Sequence, residues 1–426
     1  DLDTTRSQRT VTAIDGTKRR VSEYRVASVS VEEQLRRAQH ALKMLVGDRG
    51  VVPPDPLAPW ASAGSQPAPP PRPAMPPRPT LADLEGAFAP TGLEIDGERL
   101  AALAADYVPV PRHAESSAAV LTHLRACADE GRPLTFSAVF TTDRWPRRTP
   151  VWLPTPPPGV LLSPEQWAAV GREGAVYPAN TPKAVRAAIS APAGHTLVMM
   201  DLKAAHLALL ASMASDDAMA AWLAEDPHAE TGATLAPSLD AGAQRALGKD
   251  VNSAMANSAM LRTIGKLVID AGAVGDLGPT TLQDFHAAWW ARFPGVAALR
   301  ARHETEVTAA VQARLPLRIE ADGELVLAYP ADVLSGEREA CGWPATAEKR
   351  REKALRSSWA ARITALESVV MDEVVLAAHR LGLRLAMPMF DGMVWVASDA
   401  EAETMASDLG DVVTAILDRR GIPTVG

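Results

Sequence analysis

Three segments of this chain carry residues whose types and spacing could do chemistry. In the first, Thr196-Leu-Val-Met-Met-Asp201 is a short apolar run closed by a lone carboxylate, and Leu202 to Met213 follows with helical periodicity. An acid at the end of a strand projects from a rigid element into the space beyond it. An aspartate in this place also caps a following helix, and both readings stand. The second segment, Gln244 to Met260, sets Arg245, Lys249 and Asn252 on one face of a helix, with Leu247, Val251, Ala254 and Ser258 opposite. Two cations and an amide along one stripe suit a triphosphate, because each can touch a different phosphate oxygen. A plain solvated helix face shows the same pattern. The third segment, Leu383 to Val396, holds Phe390-Asp391-Gly392 between two apolar runs. Asp-Gly is a strong type I′ hairpin signal, so Asp391 serves the turn, holds a carboxylate at its tip, or does both. Carboxylates from separate strands can hold two Mg²⁺ ions about 4 Å apart and clamp an in-line displacement at phosphorus.

The elements that must position these groups lie in the C-terminal half of 426 residues. The chain is 47% hydrophobic, which supports a sizeable core and excludes a wholly disordered protein. With 43 Lys and Arg against 51 Asp and Glu, its formal net charge is −8. That sign is wrong for a protein living mainly on phosphate-backbone contacts, although a local basic face stays open to it. Cys127 and Cys341 are its only cysteines, too few for a disulfide framework or a cysteine zinc site. No stretch nears 18 apolar residues and the polar N-terminus lacks a signal-peptide core, so the expectation is a soluble, cytoplasmic protein without membrane contact.

Residues 53–80 hold 12 of the 35 prolines and read as an extended linker. It separates a small N-terminal segment of unknown role, residues 1–52 with a helix expected from Val31 to Leu45, from residues 81–187 and 188–426. Helices are expected at Ser117–Asp129 and Ser357–Arg380, the latter packing through Ile363, Leu366, Val370 and Val374. Trp289-Trp290 reads as packing, His195, His286 and His303 as surface or packing residues, and Lys349-Arg-Arg-Glu-Lys353 as a local basic run.

Read together, the segments resemble the palm and fingers of family A DNA polymerases, the bacterial polymerase I class. Asp201 stands where that family's first motif places its metal-binding Asp, after a lead-in similar to Ala188-Ile-Ser-Ala-Pro192. Asp226-Pro-His228-Ala-Glu-Thr231 resembles the stretch shortly after it. Arg245, Lys249 and Asn252 match the Arg-x3-Lys-x2-Asn of the fingers helix, and Arg292-Phe293-Pro294-Gly295-Val296 is similar to a family helix boundary. Asp391 takes the place of the third-motif Asp. The resemblance runs from about Val176 to the C-terminus. It implies an α/β (α+β) right-hand fold, mostly helical, with an antiparallel palm sheet carrying Asp201 and Asp391 and helical fingers over about 215–300. Residues 81–187 stand in place of a thumb.

What the resemblance implies chemically is nucleotidyl transfer: a hydroxyl attacks the α-phosphate of a nucleoside triphosphate and pyrophosphate leaves. Its metal would be two Mg²⁺ ions, with Mn²⁺ as a substitute, held by Asp201, Asp391 and the backbone carbonyl of Leu202. Arg245, Lys249 and Asn252 would hold the triphosphate; His206, Ser253 and Asn257 would lie at the sugar and base; Arg362 and His228 would face the primer or acceptor. The acceptor would be a DNA primer-template or another nucleotide or hydroxyl. Several positions depart from the family. Gly392 replaces its second acid, His206 its sugar-screening Glu, Ser253 and Asn257 its aromatic residues, and Arg362 its primer-contacting Gln. Nothing resembles a proofreading exonuclease. DNA-directed DNA synthesis is the leading expectation, beside template-independent transfer yielding a short or small-molecule product and a catalytically silent binding protein.

Overall fold

The structure, a computed structural model, describes residues 4–12, 18–26, 79, 83–84, 86–87, 91–108, 114–135, 137–140, 148–151, 161–162, 176, 178–276, 281–321, 324–337, 346–389 and 391–424. The helix expected from Val31 to Leu45, the proline-rich stretch apart from Pro79, and Phe390 lie outside the described residues. The chain divides into two compact units, residues 1–67 with 278–282 and residues 68–277 with 283–426. The first holds an antiparallel hairpin of β1 (Thr4–Thr12) and β2 (Lys18–Val26).

The second unit begins with β3 (Glu94–Ile95), α1 (Gly97–Ala105) and α2 (Ala114–Asp129). A small sheet follows, from β4 (Ser137–Phe140), β5 (Arg148–Val151) and β6 (Leu161–Leu162), and β7 (Ile189–Ser190) pairs back onto β3. After β8 (His195–Asp201) comes a run of helices: α3 (Ala205–Ala214), α4 (Asp217–Leu223), α5 (Pro227–Leu235) and α6 (Ala241–Ala256). It continues through α7 (Leu261–Asp270), α8 (Thr281–Arg292) and α9 (Pro294–Ala313). The hairpin β9 (Leu317–Ala321) and β10 (Glu324–Tyr329) and the short α10 (Ala331–Leu334) lead into α11 (Ala347–Arg380). Then β11 (Arg384–Met389), β12 (Gly392–Ser398) and α12 (Ala402–Arg419) end the fold. The class is mixed α and β, mostly helical, with small sheets that are antiparallel apart from the β4–β6 pair, in keeping with what the resemblance implied.

The central sheet has the order β11-β12-β8, antiparallel throughout. Helix α11 is its companion: it starts at the Thr346 cap, ten residues before the expected start, and buries every residue from Ile363 to Val375. Thr364, Glu367, Ser368, Asp372 and Glu373 are buried in it along with the apolar residues, so the helix runs through the interior rather than lying on the surface. The hairpin β9–β10 shows an alternating pattern, with Leu317, Ile319 and Ala321 buried and Arg318 and Glu320 exposed, and it shares a core with Val307, Ala354 and Ala361.

Local chemistry explains the helix boundaries. Asp216 is 5% exposed and serves two helices at once: Oδ1 accepts from Met219 N at the start of α4, and Oδ2 from Val296 N at the start of α9. Gly295 makes this possible, since a Cβ there would lie 3.0 Å from both Asp216 Oδ2 and Ala214 O. The Phe293-Pro294-Gly295-Val296 run therefore has a physical reason: proline opens α9 and glycine admits the shared cap. Phe293 and Trp289 are buried and stack edge to face at 5.0 Å, while Arg292 lies over the Trp222 ring and pairs with Glu230. Trp289 is thus core.

Helices α5 and α6 touch backbone to backbone. A Cβ on Gly248 would fall 1.8 Å from His228 O, and one on Gly232 would fall 1.8 Å from Gln244 O. Gly248→Ala is expected to part the two helices and cost about 1–3 kcal/mol or more, seen as a drop of several degrees in the circular-dichroism melting midpoint. A midpoint equal to the parent's would refute the close contact.

On α9, His303 is 1% exposed; its Nε2 lies 3.0 Å from Ser358 Oγ, whose hydroxyl donates to Leu355 O. Burial, reinforced by Arg362, pushes its pKa down to about 3. The unfolded chain binds that proton near pH 6.5, so the contribution to stability is full above about 6.5 and drains away as pH falls toward 3. His303→Gln should flatten the loss of denaturant stability across that window, by up to about 1.4 kcal/mol per pH unit.

Candidate active site

Register sets the site. Strand β8 pairs with β12 over its whole length, from His195↔Ser398 to Asp201↔Gly392. Chain continuity then brings Asp391, the residue before Gly392, beside Asp201, and Leu202 N donates to Asp391 O at 3.0 Å. The structure therefore brings together two of the acids read from sequence, across 190 positions of chain. Met389 pairs with Gly392, so Gly392 is the first residue of β12 and Asp391 stands in the turn before it. This corrects the Asp-Gly turn expected from sequence by one residue; the turn residue is the aspartate, and the glycine has a different task. A Cβ on Gly392 would lie 3.1 Å from Asp201 Oδ1 and 3.1 Å from Met200 O, so the bare glycine makes room for the Asp201 carboxylate.

Asp201 is exposed and Asp391 half-buried. With the Leu202 carbonyl they could offer an all-oxygen donor set, the kind a hard divalent cation takes with one or two carboxylates plus substrate oxygens. Among the described residues there is no group of three or more His, Cys, Asp or Glu placed to hold a metal.

Three residues beyond Asp201, Ala204 sits in the left-handed region (φ 49°, ψ 36°), which costs an alanine about 1–2 kcal/mol. That turn starts α3 and aims His206 inward. Its Nε2 lies 3.1 Å from Oε2 of Glu367, a carboxylate 1% exposed on α11, and its Nδ1 lies 3.2 Å from Asn257 Nδ2. Asn257 Nδ2 also donates to Ser253 O at 2.8 Å. The amide donates to Nδ1, so Nε2 carries the hydrogen that Glu367 accepts. Both ring nitrogens are occupied within the protein, so His206, expected at the sugar, ties α3, α6 and α11 together. Glu367 escaped the sequence reading, although a lone acid inside the apolar Thr364-Ala-Leu-Glu-Ser-Val-Val run was a usable signal.

Helix α6 presents Arg245 and Lys249 to solvent, as expected. Arg245 Nε is 2.8 Å from Asp226 Oδ2. Burial alone would raise the Asp226 carboxyl, but the Arg245 guanidinium and the Ala229 and His228 amides outweigh it and hold it below the usual carboxylate range. Asn252 departs from the stripe. It is fully buried, donating to Pro227 O at 2.9 Å, lying 3.2 Å from His228 Nδ1, and accepting from the Thr231 hydroxyl. It fastens α5 to α6 and cannot touch a ligand held by Lys249. His228, 8% exposed in the same contact, is likewise turned away from any acceptor, and burial followed by Arg245 lowers its pKa. Arg362 pairs with Glu306 of α9, and Ser253 is exposed. In the basic run, Arg350 is buried and donates to Gly336 O at 2.7 Å, so that residue is structural.

No family model matches the chain, and no curated protein does. Among solved structures it is similar to the POL domain of Pol1 from M. smegmatis, determined in complex with DNA primer-template and dNTP. The identity is 14% and the TM-score 0.48, over 70% of this chain and 48% of that one. The chain thus spans about half the length of that structure. At this distance the likeness carries no statement about chemistry, which is argued below from the residues themselves.

Glu367→Ala should leave the half-buried His206 N–H without its acceptor and lower stability by about 1–3 kcal/mol, whereas Glu367→Gln, which keeps an accepting oxygen, should cost less. Thermal melts of the two variants decide it, and equal losses would show that the contact does not matter.

Proposed function

We propose that this protein is a nucleotidyltransferase, joining a hydroxyl to the α-phosphate of a nucleoside triphosphate with release of pyrophosphate. The observation that carries the reading is the convergence of Asp201 and Asp391 at one end of a three-stranded sheet, set by the β8–β12 register. In this reading Asp201, Asp391 and the Leu202 carbonyl would hold Mg²⁺. When bound, the metal supplies positive charge at the α-phosphate and acidity to the attacking hydroxyl. Lys249, exposed and without an ion pair among the described residues, holds the terminal phosphates and offsets charge on the departing pyrophosphate. Arg245 joins it by exchanging its exposed Asp226 partner for phosphate, a cheap exchange for a surface pair. Glu367, through His206 and Asn257, fixes the near end of α6 against α3 and so sets where these cations point.

The first acceptor to be tried is a DNA primer-template. Transfer without a template is a second reading, favoured by Ser253 and Asn257, whose short polar side chains offer no ring face against which to check a base pair.

The test is pyrophosphate release in Mg²⁺ from each NTP and dNTP, with and without primer-template. Release is expected from the parent chain, and Asp201→Asn and Asp391→Asn should each cut it by about a hundredfold or more. Lys249→Ala should raise KM for the nucleotide more than it lowers kcat. Release only with primer-template selects templated synthesis, and release without it selects the second reading. No release from any nucleotide, or release indifferent to both aspartates, would end the proposal.

A further inference from the structure

At the other end of β11 from Asp391 a cavity of about 380 Å³ opens, and three polar side chains converge on it: Thr91, His379 and Arg384. Arg384 is the first residue of β11 and His379 lies in the last turn of α11; both are exposed. Thr91 is only 7% exposed, yet its hydroxyl is not among the sealed polar atoms of the core. None of the three side chains makes a hydrogen bond or ion pair among the described residues. Leu385, Ala87 and Pro192 supply an apolar wall, and among the described residues that line the cavity there is no acid.

The wall that carries Thr91 is held by its backbone rather than by chance contact. Leu93 exchanges both backbone hydrogen bonds with Leu134, at 3.0 and 2.8 Å. Gly92 permits that approach, because a Cβ there would lie 2.6 Å from Pro133 Cβ. Gly86 stands next to the His379 ring, within ordinary contact distance of Nε2. The cavity is therefore lined by the ends of α11 and β11, which carry the basic side chains, and by the backbone-held segment that carries the Thr91 hydroxyl.

We propose that this cavity is a binding site for a small molecule carrying a phosphate monoester, seated between Arg384, His379 and Thr91 with its less polar body against Leu385. A guanidinium fork, an imidazole and a hydroxyl offer donors in several directions, which a tetrahedral oxyanion can use more fully than a planar carboxylate. The volume lies within the range of small-ligand pockets, toward its lower end. The site is separate from the carboxylates, since Arg384 opens β11 and Asp391 lies in the turn beyond its far end at Met389, five residues on at about 3.3 Å per residue. It does not depend on the nucleotidyl-transfer reading.

Calorimetric titration of the full chain with inorganic phosphate, ribose 5-phosphate, adenosine monophosphate and acetate tests it. The two organic monoesters are expected to bind more tightly than inorganic phosphate and acetate, with ribose 5-phosphate and adenosine monophosphate separating a sugar from a base as the body. Arg384→Gln should weaken the monoesters by about tenfold or more, Arg384→Lys by less, and Thr91→Val by a few fold, while Lys249→Gln leaves this affinity unchanged. Melting midpoints of the unliganded variants check that each still folds. Absence of binding at about 10 mM ligand would overturn the proposal. So would acetate binding as tightly as the monoesters, or affinity that is lost with Lys249→Gln and kept with Arg384→Gln.

Discussion

The pairing of β8 with β12 is the constraint on which the rest of the structure depends. In an antiparallel ladder a slip of one residue moves every side chain to the other face. Here the register is pinned from His195↔Ser398 to Asp201↔Gly392, with Val198 and Trp395 paired and buried on the core side. Asp201 therefore emerges on the face opposite to Val198, against a glycine, and the turn that precedes that glycine brings Asp391 with it. The carboxylate pair is a consequence of where apolar side chains had to go.

Buried polar contacts then tie the helices to that sheet. Asp216 caps α4 and α9 together, and Glu367 reaches His206 and, through it, Asn257 at the end of α6. At the C-terminus Glu373, 9% exposed, takes both Arg419 and Arg420, while the Arg420 carbonyl accepts from Ser212 of α3. Such contacts contribute little net stability, since desolvation offsets most of their attraction. Their effect is on geometry: each is satisfied in one arrangement only, and breaking one strands a buried polar group.

Glycine recurs where elements must approach closely, and in each case for a different reason. Gly232 and Gly248 let two helices meet at their backbones, Gly295 admits a shared cap, and Gly392 makes room for a carboxylate. Gly392 is the instructive one. Seen as a departure from a family that carries an acid there, it reads as a loss; the structure shows a position where any side chain would press on Asp201.

Periodicity and punctuation carried a good deal of this protein. The apolar run closed by Asp201, the two runs around Asp391, the solvent side of α6 at Arg245 and Lys249 and the long helix to Arg380 were all legible, because period-two and period-3.6 patterns report which residues face a core. What the pattern could not tell was whether a polar residue on a helix looks outward or into a neighbour. Asn252, His228 and Glu367 are all polar and all buried, each satisfied by a partner between 21 and 161 positions away in the chain. A hydrogen bond of that span leaves no local trace, and only the assembled helices decide it. The sequence by itself determined that acids would stand at the ends of two strands; the tertiary structure alone decided that those ends meet, because strand register is a property of the packed sheet and not of either strand.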